Sequence, residues 1–303
     1  MTNPEQNPYG YPPQQPGQPP EQFQPYQPQK PRMRQLDADP GRFTWWDAGA
    51  TLLYILGFLG GGLSLVVLSI PAVDQMLSSG DEEDLQMASF LGNAFSYGTL
   101  GLVALVLSFG ALIRSIRTFA YLWWLKLLLI PVIWVGILIF NAVMVMVIGE
   151  EPQTSQNQES IETMLGVVPF FAAVVVIALM GPYVEEYFFR HLLIGKLSRY
   201  VNIWICAAIS VTIFPLLHFL PAYLAGVGDL NMVTFLPYLT MGLAFTLAYI
   251  LTGRSLIYAV LLHVFNNVMS LLFTYYVMPW AEEMELDQLE QAGHILRVVL
   301  IGA

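Results

Sequence analysis

Read for its pattern of apolar and polar positions, the chain divides into seven long apolar runs separated by short polar connections. They lie near residues 48–72, 88–113, 122–148, 164–190, 202–220, 232–252 and 255–279. Each approaches or exceeds the roughly 20 apolar residues that carry a helix across about 30 Å of hydrocarbon. A last stretch, His294 to Ala303, is too short to cross; it reads as a surface segment or a fragment of an eighth helix. The pattern therefore predicts an all-α, polytopic integral membrane protein with about seven transmembrane helices, or eight if that fragment counts.

Composition narrows the class. The chain has 303 residues, 56% hydrophobic and only 11% charged, with mean hydropathy +0.58, which excludes a soluble globular protein. A net charge of −10 would suggest a basic partner if it were spread evenly, but it is segregated. Lysine and arginine fall at 30, 32, 34 and 42, at 114, 117 and 126, at 190, 196 and 199, and at 254. Acidic residues crowd the alternate connections: Asp81 to Asp84, Glu150-Glu151, and Glu282 to Glu290. Basic residues concentrate on cytoplasmic loops, so the N-terminus is expected inside and the acidic loops outside. Arg297 is the exception and leaves the side of the C-terminus open.

Four segments follow. Residues 1–40 form a Pro/Gln-rich tail with almost no aliphatic side chains, expected to be disordered and cytoplasmic, with tethering as the alternative to simple solvation. Residues 41–163 hold the first spans, expected to be structural, with Gly60-Gly61-Gly62 permitting close helix packing and almost no buried ionisable groups. Residues 164–279 carry the candidate chemistry, and 280–303 form an acidic C-terminal segment. Trp45-Trp46 and Trp123-Trp124 sit at span edges, as interfacial anchors do. The lone Cys206 lies within an apolar span and reads as core. No internal repeat and no cleavable signal peptide is expected.

Three polar clusters interrupt the apolar second half. Ionisable groups inside a membrane span cost several kcal/mol or more and so mark a functional site by default. In Glu185-Glu186-Tyr-Phe-Phe-Arg190, Glu186 and Arg190 are spaced for an ion pair on one helix face. Glu185 is rotated about 100° away and left free to face a cavity. Gly181-Pro182 should kink or restart the helix just upstream. In Phe214-Pro-Leu-Leu-His218 the aromatic should pack beside the imidazole, and Pro215 should open the helix locally. In His263-Val-Phe-Asn-Asn267 an imidazole and a carboxamide share a face and can aim donors at one oxygen. Asn266 is the better candidate for an interhelical hydrogen bond. Measured from the basic turns, at about 1.5 Å per residue, these groups can reach a common depth, expected in the cytoplasmic half.

The clusters resemble the motifs EExxxR, FxxxH and HxxxN of the CAAX protease and bacteriocin-processing family of intramembrane proteases, over roughly residues 164–279. That family includes type II CAAX prenyl endopeptidases and bacteriocin self-immunity proteins. It commonly has a small residue after the arginine. Here it is His191, read as a packing or surface residue rather than a catalytic one. The resemblance implies that Glu185 activates a water with help from His218. It also implies that His263 and Asn267 stabilise the oxyanion, and that Glu186 and Arg190 hold the site together. No cofactor is favoured. Zinc is the alternative, with Glu185, His218 and His263 as candidate ligands, although no HExxH helix is present. His294, Asp229 and the methionine-rich segments have no partners at motif spacing and read as loop or core. No phosphate loop, flavin signature or nucleic-acid motif appears. The expected partners are the lipid bilayer and a peptide or membrane-protein substrate, cleaved near the cytoplasmic face. A non-proteolytic immunity or scaffold protein and a proton-coupled transporter are the competing classes.

Overall fold

The computed structural model describes residues 37–150, 153–224, 226 and 231–277. The Pro/Gln tail up to residue 36, Glu151, Asp229, the acidic stretch from Glu282 to Glu290, His294 and Arg297 lie outside the described residues, as does the fragment proposed for an eighth helix.

Among the described residues the order is α1 (Trp45–Leu59), α2 (Gly62–Leu68), α3 (Pro71–Ser78), α4 (Glu82–Ala120), α5 (Trp123–Ile148), α6 (Gln156–Leu165), α7 (Phe170–Arg199), α8 (Ile203–Leu224), α9 (Met232–Leu251) and α10 (Leu256–Val277). Six are long and apolar enough to cross a membrane, and the bent pair α1–α2 has that length and composition when taken together, as a broken span or a re-entrant loop. The protein is an all-α, polytopic membrane protein. Side chains such as Leu102, Val106 and Phe109 of α4 and Ile139, Val143 and Val147 of α5 are exposed on the outside of the bundle. Exposed apolar surface of this extent is what a lipid environment covers.

The helix starts are written in the sequence. Thr44 and Asp47 form a reciprocal capping box at α1, and Asp81, Ser155, Asn231 and Ser255 cap α4, α6, α9 and α10. Two short helices, α3 and α6, were not anticipated, and α6 takes up the start of the span expected at 164. The glycine run has a different role from the one expected. Gly61 adopts φ +73°, and the chain bends by 54° between α1 and α2. A Cβ at Gly60 or Gly62 would come within 2.8 or 2.9 Å of the Leu56 carbonyl. The run therefore bends the chain between α1 and α2 rather than packing one helix on another.

The expectation that the first spans lack buried charge is also corrected. Asp47 is fully buried, and Lys196 Nζ of α7 donates to its Oδ1 at 2.7 Å, with Tyr187 Oη 3.3 Å from the same oxygen. Lys126 is buried too, and its ammonium donates to the Thr118 carbonyl.

The two ends of the bundle are distinguishable. Asp39 accepts from Arg199, its carbonyl accepts from Arg114 Nε at 2.8 Å, Asp37 pairs with Arg254, and Ala38 N donates to Gly253 O. Residues 37–39 thus strap across three basic turns, so the last residues of the expected disordered tail are docked. At the opposite end, Asn231 Nδ2 donates to Gln153 Oε1 and Ser155 Oγ bonds Tyr238 Oη at 2.8 Å, tying the α5–α6 connection to α9.

Candidate active site

Helix α7 carries the paired acids. Its winding widens to π-type turns over Val174–Met180, returns to α over Gly181–Glu186, and widens again over Tyr187–Lys196. The anticipated restart at Gly181-Pro182 is this change of winding, with no break in the helix. Wide turns of this kind recur at functional sites because they re-aim side chains.

Glu186 and Arg190 are fully buried and paired, Arg190 Nη1 donating to Glu186 Oε1 at 2.9 Å. Arg190 Nη2 also reaches the Gly242 carbonyl at 3.3 Å, and the guanidinium lies 4.7 Å from the Phe214 ring centre. Cation–π contact and a charged acceptor together compensate the desolvation of an arginine. Gly242 permits this closeness: a Cβ there would press on Phe214 at 3.3 Å.

Among the described residues Glu185 has no such partner. Its side chain is 14% exposed and lines a cavity of about 520 Å³ together with His218, His263 and Asn267. All three sequence clusters therefore converge on one space. His218 stands beside Phe214, ring centres 4.8 Å apart, and stacks on Tyr238 at 4.5 Å. Its Nδ1 donates to the Phe214 carbonyl at 2.9 Å, which leaves Nε2 unprotonated in the neutral ring. Pro215 lies within a continuous α8, so the helix is not interrupted there.

His263 occupies a more central position than expected. Its Nδ1 lies 2.9 Å from Glu186 Oε1, the oxygen that also accepts from Arg190, while its Nε2 is 3.8 Å from Glu185 Oε2. The imidazole therefore bridges the two acids. Asn267 Nδ2 donates to Ile177 O at 3.1 Å and Oδ1 accepts from Asn266 Nδ2, which fixes the carboxamide and leaves one N–H for the cavity. Interhelical bonding is thus shared: Asn266 Nδ2 also reaches Met241 Sδ on α9, and Asn267 bonds α7. His191 is buried against Tyr187, so it packs and is not a surface residue.

Sequence reasoning missed the other side of the cavity. Tyr54 and Tyr97 of α1 and α4 line it, as do Gln156, Asn157 and Ser160 of α6. Asn157 Nδ2 donates to Tyr238 Oη at 3.3 Å, so α6 is coupled through Tyr238 to His218. No spacing rule links residues so far apart; the signal available was the Ser155 cap and the amphipathic run behind it.

A metal set is not assembled. Among the described residues no three His, Cys, Asp or Glu side chains are placed to hold a metal ion. Glu185, His218 and His263 share the cavity without converging as ligands, and one nitrogen of each imidazole is already engaged.

Residues 167–269 match the family described as type II CAAX prenyl endopeptidase Rce1-like. The chain is also 30% identical over 128 residues to the membrane-embedded CAAX protease MroQ of Staphylococcus aureus (strain USA300). That match covers 40% of this chain and 46% of the relative, less than half its length. No solved structure matches. The matched segment contains all three polar clusters, and over it the chain is similar to the CAAX proteases.

Proposed function

We propose that the chain is an intramembrane endopeptidase that hydrolyses a peptide bond with a water activated by Glu185 and His218. The observation that carries this reading is the unequal environment of the two acids. Glu186 is held by Arg190 and His263, whereas Glu185 faces the cavity with no cation of the described residues at hydrogen-bond distance. A carboxylate so placed can accept a proton from water.

In the proposed reaction, water sits between Glu185 and His218 Nε2. Its oxygen attacks the scissile carbonyl carbon as its proton passes to the base. The carbonyl oxygen becomes an oxyanion, met by the remaining N–H of Asn267 and by His263 when its Nε2 is protonated. Collapse breaks the C–N bond, the proton moves to the leaving amine, and a carboxylate and an amine result. No step runs through a metal. We further propose that the protein resides in the cell membrane with its N-terminus cytoplasmic, acting on a peptide or a membrane protein and on no nucleic acid. The family name alone does not make the substrate prenylated, since the motifs encode chemistry and not specificity.

The test compares membrane and secreted peptides from cells expressing the wild type or Glu185→Gln. Products that depend on the carboxylate support hydrolysis. An unchanged peptide inventory, with the phenotype of the chain retained, assigns it to binding instead.

A further inference from the structure

The cavity does not open where the sequence pattern suggested. The motif residues were expected to share the half that carries the basic turns, but the space above Glu185 extends to the other end. Its lining includes Ser64, Asn93, Gln156, Asn157 and Ser160. Gln156 and Ser160 are exposed while lining it, so they mark the mouth. Helix α6 follows the C-terminus of α5, the end away from Lys126, and is fastened there through Ser155 and Tyr238. Asn93 lies about 16 Å along α4 from Glu82, at 1.5 Å per residue, and so in the same half.

Toward the basic turns the cavity has a floor. Every residue of α7 from Glu186 to Lys196 except Leu193 is buried. Arg190 with its aromatic ring of Phe189, Phe214 and Phe245, and the Asp47–Lys196 pair below, occupy that volume. A substrate entering from the basic face would have to displace two buried ion pairs.

The charge pattern assigns the ends. Arg42, Arg114, Arg117, Lys126, Lys196, Arg199 and Arg254 all fall at one end, and Lys30, Arg32 and Arg34 precede them in the sequence. Between Arg42 and Arg114, between Lys126 and Arg190, and between Arg199 and Arg254 the sequence contains no lysine or arginine. So one-sided a distribution places the basic end in the cytoplasm.

Resting on the hydrolytic reading above, we infer that the active site is reached from the extracytoplasmic face, and that its substrate is a neutral-to-basic peptide segment presented there. Such a segment is the membrane-proximal external part of a membrane protein, or a peptide already exported. The mouth supports the charge preference. Its polar lining is uncharged, Glu185 is among the described residues the only carboxylate that lines the cavity, and acidic Asp81 to Asp84, Glu150 and Glu159 lie at the same end. An acidic segment meets repulsion at the rim and at Glu185, whereas a basic one is drawn in.

The test is accessibility in intact cells, in a Cys206→Ala background. Single cysteines are placed at the mouth (Ser160→Cys, Gln156→Cys) and at the basic end (Tyr200→Cys, an exposed position). A membrane-impermeant maleimide should label the mouth positions in intact cells and Tyr200→Cys only after permeabilisation. The adduct at Ser160→Cys should also slow Glu185-dependent cleavage severalfold. Labelling of Tyr200→Cys in intact cells, with the mouth positions protected until permeabilisation, overturns the inference. The hydrolytic reading fails separately: the expected labelling with peptides that do not change in Glu185→Gln keeps the external mouth and removes the protease.

Discussion

Glu186 Oε1 receives two hydrogen bonds of 2.9 Å, one from Arg190 Nη1 and one that orients His263 through Nδ1. Glu186 thereby sets the direction of the imidazole, whose Nε2 is turned toward Glu185. In the proposed reaction, structure and chemistry are divided between these adjacent acids. Glu186→Gln should keep the fold better than loss of Arg190 but free the imidazole. Glu185→Gln should abolish cleavage and leave thermal stability near wild type, because it keeps shape and deletes the base. Unfolding temperature and product formation, measured together, check both.

Arg190→Ala should be the most damaging single change at the site. It leaves Glu186 as a buried carboxylate without its cation, a loss on the order of 3–5 kcal/mol for a fully buried pair. The prediction is a marked drop in unfolding temperature in detergent together with lost activity. A wild-type unfolding temperature would mean that the pair is solvated and that the division of roles is wrong.

Tyr238 connects the mouth to the base. Tyr238→Phe removes the hydroxyl that bonds Ser155 and Asn157 but keeps the ring against His218. Its cost should be about 1–2 kcal/mol, and its kinetic effect should appear in KM, since α6 is loosened and His218 is not. Tyr238→Ala also removes the stacked ring and should lower kcat. Equal effects of the two variants on kcat would show that the ring does not position the imidazole.

The strap at 37–41 supplies a pH dependence outside the membrane. The Gly41 N–H, opposed in part by burial, and then the Arg199 guanidinium hold the Asp39 carboxyl below its ordinary value of 3.8. A group depressed on folding contributes stability that is complete above the unfolded value and is lost as pH falls through the folded one. Asp39 is 47% exposed, so the contribution is small and salt-sensitive. A cysteine at Ala38 should stay protected from a pyridyl disulfide, a reagent that labels thiols in acid as well as at neutral pH, down to the ordinary aspartate range and become reactive only below it. Asp39→Asn should expose it at neutral pH.

The spans and the motif residues were legible because each depends on local spacing: apolar run length for the helices, and four-residue intervals for Glu186–Arg190, Phe214–His218 and His263–Asn267. The direction of the cavity was not. It depends on α6, whose residues touch Tyr238 across 81 positions of sequence, and on the floor built from Asp47 and Lys196, 149 apart. Helical periodicity encodes which face a residue occupies, not which distant face fills the space beside it. The left-handed Gly61 was hidden for a related reason: a run of three glycines suits both close packing and a break, and only the Leu56 carbonyl decides between them.

Metal dependence and pH meet in the last prediction. Glu185, His218 and His263 line one cavity, so the pH dependence of activity belongs to the group and not to any single residue. If water is activated by Glu185 and His218 alone, exhaustive chelation followed by assay in metal-stripped buffer leaves turnover intact. The pH profile then changes shape in His218→Gln, which removes one titrating base. If activity instead disappears and returns with one zinc per chain, the three side chains must rearrange into a ligand set. His263 would then have to bind through Nε2 while Nδ1 stays on Glu186, which predicts that Glu186→Gln weakens zinc affinity by roughly 10–100-fold, as loss of an orienting partner does. Metal content and the pH profile, measured on the same preparations, separate the two mechanisms.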